Sequence, residues 1–175
     1  MAITSVQQKF THELGDIYDA EHRFLEAQQQ MLPKARSNTV KQLLQQHIQE
    51  TEQQIRNLDQ AFQVLGEQPK RVTCEGAAGI VAEGQKTLRE AQGNASLTDC
   101  VIAGAASKVE HYEIASYRGL LMGAQLMGQP QLTQLLQQNL QQEEQTAQMV
   151  EQSVPQLLQQ AMGQAGGQQR QIGAP

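Results

Sequence analysis

The sequence predicts an all-α protein, an antiparallel bundle of four long helices with a long crossover that contains a short fifth helix. Three observations lead there. Leu, Ala, Gln and Glu dominate the 175 residues, and all four rank near the top of the helix-propensity scale. Apolar residues recur at helical spacing in four long stretches, and no strand-like alternation competes with them. The turn and cap signals between those stretches divide the chain into hairpins separated by one long connection.

Thr4 or Ser5 can cap the first helix, which carries Phe10, Leu14, Ile17, Tyr18, Phe24 and Leu25 and runs to about Leu32, where Pro33 ends it. The stretch "RSNT" offers caps for a second helix, with Val40, Leu44, Ile48, Ile55, Leu58 and Phe62 on one side and Gly66 closing it. After "EQPKRVT", a Gly-containing amphipathic segment from about Cys74 to Ala91 reads as the crossover helix. "GNASLTD" gives a turn and an N-cap for the third long helix, which ends near Gly128. Pro130 suits the first turn of the fourth, in which Pro155 is a candidate bend. Residues 1–163 form the bundle domain, and the Gln/Gly-rich residues 164–175 read as a flexible tail with too little apolar content to offset ordering.

The formal net charge of -5, with no cluster of Lys and Arg, argues against binding to a nucleic-acid backbone. No apolar run approaches the roughly 20 residues of a membrane span. The start "MAITSVQQKF" lacks the pattern of a secretory leader, so a cytoplasmic protein is expected. Cys74 and Cys100 are far apart and read as reduced core residues.

The chain repeats itself. "AEHRFLEA" lines up with "VEHYEIAS", matching Glu21 with Glu110 and His22 with His111. "QLLQQHIQETEQQ" lines up with "QLLQQNLQQEEQT", which brings Glu50 within one position of Glu143. A two-helix unit used twice sets four helices about a pseudo-twofold axis, each able to donate an inward residue at mid-height. Spacing from the apolar positions turns Glu21, His47, Glu50, Glu110, Glu113 and Glu143 inward. Ionised carboxylates so placed would each cost several kcal/mol and repel one another. Two divalent cations would offset that. Carboxylates suit iron or manganese, and His47 adds a nitrogen donor or a hydrogen bond to a ligand.

His22 and His111 should point off the site. Tyr18, Tyr112 and Tyr117 read as packing residues, with a hydrogen bond from one of them to a carboxylate as the alternative. Glu13, Asp16, Asp19, Glu26, Glu52 and Glu90 read as surface charge.

"ELGDIYDAEHRFLEA", "HIQETEQQIRNLDQAFQVLGEQP", "KVEHYEIASYRGL" and "NLQQEEQTAQMV" resemble the YciE/YciF-type ferritin-like proteins of bacteria, often described as stress-response proteins. The likeness runs from Phe10 to about Val150, and "VEHYEIASY" is its most specific part. It implies a ferritin-like bundle, a homodimer and a dinuclear metal centre. By this resemblance Glu21, His47, Glu50, Glu110, Glu113 and Glu143 are the metal residues, with Glu144 the alternative on the fourth helix. Gln142 replaces the first Glu of the family's acidic pair, and Ala147 stands where Asp is frequent. Two functions follow as expectations: a di-metal protein that oxidises Fe(II) or consumes peroxide or dioxygen, or a non-catalytic dimeric module with a structural or vestigial metal site.

Overall fold

The computed structural model describes residues 2–171, the backbone alone from 164 onward. Five α-helices carry the chain: α1 (Val6–Met31), α2 (Asn38–Val64), α3 (Glu75–Glu90), α4 (Ala95–Leu126) and α5 (Pro130–Gln171), with a short 3-10 turn at Leu32–Lys34. Among the described residues there is no strand, and no helix is long and apolar enough to cross a membrane.

The expected signals set the helix ends. Ser5 accepts a hydrogen bond from Gln8 N, Ser37 from Val40 N and Asn94 from Leu97 N, each satisfying a first-turn amide. Cys74 takes the same role for α3, its Sγ accepting from Ala77 N at 3.3 Å. Beyond α2 and α4 the chain turns at Gly66 (φ 71) and Gly128 (φ 64), left-handed conformations that favour glycine. α5 continues to Gln171, so residues 164–171, expected in the tail, prolong the helix. Residues 172–175 of that tail lie outside the described residues.

Cross-helix contacts fix the topology. Tyr112 packs edge-on against Phe24, Tyr117 reaches Glu21 and residue 123 approaches Phe10, so α4 runs antiparallel to α1. Asn57 meets Asn139 and Glu50 meets Thr146, so α5 runs antiparallel to α2. The four long helices enclose a core of Phe10, Leu14, Ile17, Phe24, Leu58 and Phe62 against Tyr117, Leu120, Leu132 and Leu136. A second cluster around Met31, Val40, Leu44 and Ile102 fills the other end. Burying side chains of this size contributes roughly 1.5–3 kcal/mol each before entropy is counted.

α3 packs across α1 and α4, and the connection leading to it is pinned to α1. Val72 N donates to Gly15 O at 2.9 Å, an approach that requires glycine, since a Cβ at position 15 would stand 2.9 Å from Lys70 O. Asp19 completes the anchor. Although it reads as surface charge in the sequence, it is buried, accepting from Arg71 Nε (2.7 Å), Cys74 N (2.9 Å) and Arg23. Burial alone would raise its pKa, but the three hydrogen bonds outweigh burial and hold it below the usual carboxylate range. At the opposite end, the buried Asp99 accepts from Arg36 N and Ser37 N, both at 2.7 Å, and ties the α1–α2 turn to α4.

Candidate metal centre

At mid-height of the bundle, each long helix turns acid or imidazole into the interior. Glu21 from α1, Glu110 and Glu113 from α4, and Glu143 from α5 are all 0% exposed, and His47 from α2 is 3% exposed. One ligating atom each from His47, Glu110, Glu113 and Glu143 fall within 4.8 Å of one another. Donors on opposite sides of one ion at roughly 2.0–2.2 Å would be about 4 Å apart, so little closure separates this set from a coordination sphere.

The hydrogen bonds of the protein leave these groups short of partners. Both carboxylate oxygens of Glu110 and of Glu113 have no hydrogen-bond partner, nor do Glu21 Oε2, Glu143 Oε2 and His47 Nε2, all of them buried. His47 Nδ1 stands 3.0 Å from Glu110 Oε1, yet that oxygen accepts no hydrogen bond. His47 Nε2 is 4.0 Å from Glu143 Oε2. Buried polar atoms are ordinarily satisfied, and these seven orphaned atoms, on Glu21 and the four clustered residues, belong to a group that could hold a metal ion. Oxygen and imidazole donors suit divalent iron or manganese.

The protonation behaviour is that of a site short of positive charge. Burial first, then the charge of Glu143, pushes the Glu110 and Glu113 carboxyls well above the ordinary value, and Glu21 follows for the same reasons. Glu143 rises to about 7, again through burial, with the hydrogen bond from Gln54 partly opposing it. Burial lowers His47 to about 4, leaving a neutral imidazole able to donate a lone pair.

Glu50 sits at the margin of this group. It is half-buried, its Oε1 accepting from Gln46 Nε2 and its Oε2 from Thr146 Oγ1, both at 2.8 Å. Its charge still acts on Glu110 and Glu143. On α5, Glu143 faces the cluster, whereas Glu144 lies on the surface with Arg118 at 2.7 Å. His22 packs edge-on against Tyr18, and His111 is exposed beside Glu151, both pointing away from the centre.

The hydrogen bond expected from one tyrosine to a carboxylate is made by three, and Asn139 and Gln54 add support that the sequence reading did not assign. All three tyrosines donate to carboxylates: Tyr18 to Asp59 (2.8 Å), Tyr112 to Asp16 (3.1 Å) and Tyr117 to Glu21. Asn139 Nδ2 donates to the Tyr117 hydroxyl at 3.0 Å, which directs the phenolic proton toward Glu21. Gln54 donates to Glu143. A usable signal exists: Gln54 and Asn139 each lie four residues from an inward Glu, on the same helix face.

Comparison with known proteins places the chain in a family. A family described as a domain of unknown function, DUF892, matches residues 5–163. The chain belongs to this family. It is 30% identical over 139 residues to protein YciF of Escherichia coli (strain K12), covering 79% of this chain and 83% of that protein. The crystal structure of the Escherichia coli stress protein YciF superposes with a TM-score of 0.84 at 27% identity, over 90% of this chain and 99% of that one. YcfI of Rhodopseudomonas palustris, described as a putative structural protein, gives 0.83 at 33% identity, over 85% and 94%. The chain is a YciF-type ferritin-like bundle.

Proposed function

We propose that the protein holds a pair of divalent metal ions, iron first and manganese second, and uses them to oxidise Fe(II) or to consume peroxide or dioxygen under stress. The observation behind this reading is the set of buried, unpartnered carboxylate oxygens on Glu110 and Glu113 beside Glu21, Glu143 and His47. Four buried carboxylates carry the charge that two divalent ions cancel. Glu110 and Glu113, three apart on α4, would reach both ions, with Glu21, Glu143 and His47 closing the set and Glu50 at the rim.

When bound, iron supplies one-electron redox chemistry. Hydrogen peroxide that accepts one electron from each of two ferrous ions, with two protons, leaves as two waters. Dioxygen that accepts the same electrons and protons leaves as hydrogen peroxide. The chain's own part is to exclude water, orient the carboxylates through Tyr117, Gln54 and Thr146, and keep His47 unprotonated.

Aerobic addition of Fe(II) should oxidise it faster than buffer does, with iron retained through gel filtration. Glu110→Ala should abolish both while the helical circular dichroism persists. If the wild type retains no metal and its iron oxidises at the buffer rate, the reading fails.

A second reading draws on the description of the Rhodopseudomonas palustris neighbour as structural. In it the ions act as a staple in a homodimer, and the exposed Met122 and Leu126 of α4 supply an apolar face. Metal would then raise the melting temperature without turnover. Light scattering with and without metal tests the dimer.

A further inference from the structure

We propose that a cleft between α3 and α4 leads through an apolar cavity to His47, and that this route admits dioxygen to the carboxylate cluster in preference to hydrogen peroxide. The inference rests on the metal-centre reading above and names its oxidant.

Two neighbouring voids with shared lining residues mark the route. An outer cleft of about 150 Å³ opens between the helices beside Ile80, Gly84 and Ala105. Glu83 and Lys108, paired at 2.8 Å and both more than half exposed, stand at its rim. Ile80 and Ala105 also line an inner cavity of about 30 Å³, which reaches Phe24, Ile102 and finally His47. A volume near 10–15 Å³ already holds one small molecule, so the inner cavity has room for a diatomic.

Chemistry selects the occupant. Of the residues lining the inner cavity, only Gln28 and His47 have polar side chains. The Gln28 amide is already engaged with Thr51, donating at 3.2 Å and accepting at 3.4 Å. Water and hydrogen peroxide would enter by giving up hydrogen bonds that nothing along the passage replaces before His47 at its end, whereas dioxygen has none to lose. The internal repeat accounts for the dry wall. Phe24 occupies in α1 the place that Glu113 occupies in α4, so the cluster is acidic on one flank and hydrocarbon on the other.

Xenon, an apolar probe, should occupy the inner cavity beside His47 in pressurised crystals of the metal-free and iron-loaded protein alike. Ile80→Phe narrows the passage and should remove the xenon. It should slow dioxygen-driven Fe(II) oxidation by about tenfold while leaving the peroxide-driven rate within about twofold. Ile80→Ala, which widens the passage, should keep the xenon and speed only the dioxygen reaction. An empty cavity in the wild type under xenon overturns the proposal, as do variants that slow both oxidants equally or neither. Xenon beside His47 in a protein that retains no iron would instead overturn the metal centre and leave the apolar route standing.

Discussion

The two halves of the molecule, α1–α2 and α4–α5, are built alike but finished differently. Glu21 and Glu110 correspond in the repeat, and both are fully buried at the centre. Gln54 of α2 donates to Glu143 of α5, and Thr146, its counterpart, donates back to Glu50. From there the symmetry breaks. Tyr117 reaches across to satisfy Glu21, but its counterpart Gln28 bonds Thr51 instead, which leaves Glu110 bare. Glu113 faces the cluster where α1 has Phe24, and Asp19 is a buried anchor where α4 has the exposed Lys108. One half has become scaffold and anchor, while the other concentrates unpaired charge.

The largest effect should come from removing charge from the acidic half. Glu113→Gln should weaken metal binding by about a hundredfold or more, a loss read by isothermal titration with Fe(II) or Mn(II). It should also flatten a pH dependence of the metal-free wild type. Carboxyls whose folded pKa lies above the unfolded value stabilise fully below the unfolded value, and that stability drains away as pH rises through the folded value. For Glu143 the window runs from the ordinary carboxylate range to about 7, and Glu110, Glu113 and Glu21 shift in the same direction. His47, lowered to about 4, acts in the opposite sense, and its contribution is lost as pH falls below the ordinary histidine value. Melting above pH 6.5, where His47 no longer titrates, therefore reads the carboxyls, with up to about 1.4 kcal/mol of loss per pH unit for each one still titrating. Metal should abolish the slope. A flat profile for the metal-free wild type would contradict the charge-deficient site.

The anchor half makes the next contrast. Asp19→Asn weakens bonds from Arg23 and Arg71 and disturbs the one from Cys74 N. With both arginines partly exposed, a loss of about 2 kcal/mol is expected in urea unfolding. Lys108→Ala, at the equivalent place in α4, should stay within about 0.5 kcal/mol. Equal losses at the two positions would remove the distinction between anchor and surface.

Asp19 also marks where sequence reading ends. Helices were legible because apolar spacing and caps such as Ser37 and Asn94 are local signals, and the inward glutamates because each lies three, four or seven residues from core positions. What decides Asp19, Asp99 and Asn139 is a partner distant in the chain: the Arg71–Cys74 connection, the Arg36–Ser37 turn, Tyr117 of another helix. A polar residue with such a partner is buried; without one, the same residue faces water. Cys74 escaped as a cap because its thiol is a weak acceptor, made effective here by burial against Tyr112.

A smaller effect is expected at Tyr117. Tyr117→Phe keeps the packing of a fully buried ring but removes the donor to Glu21, freeing a second oxygen of that carboxylate. Metal affinity should fall by about tenfold through loss of carboxylate orientation. Because Gln28 gives Glu110 no such support, Gln28→Leu should change metal affinity by less than about twofold. Similar losses in the two variants would mean that the halves are more alike than their hydrogen bonds suggest.

The smallest effect tests whether the broken symmetry can be mended. Gln142, the counterpart of Glu50, is half-buried with an unpartnered Oε1. Gln142→Glu would give α5 the acidic residue that α2 has, adding a carboxylate to the cluster's margin. Without metal it adds repulsion, and melting should fall by about 1 kcal/mol, more at pH 8.5 than at 6.5. With metal the same charge becomes favourable, so affinity should rise by about threefold. The opposite signs decide the matter. Destabilisation with no gain in metal affinity would mean that the added carboxylate does not reach the ions, and that Glu143 alone serves from α5.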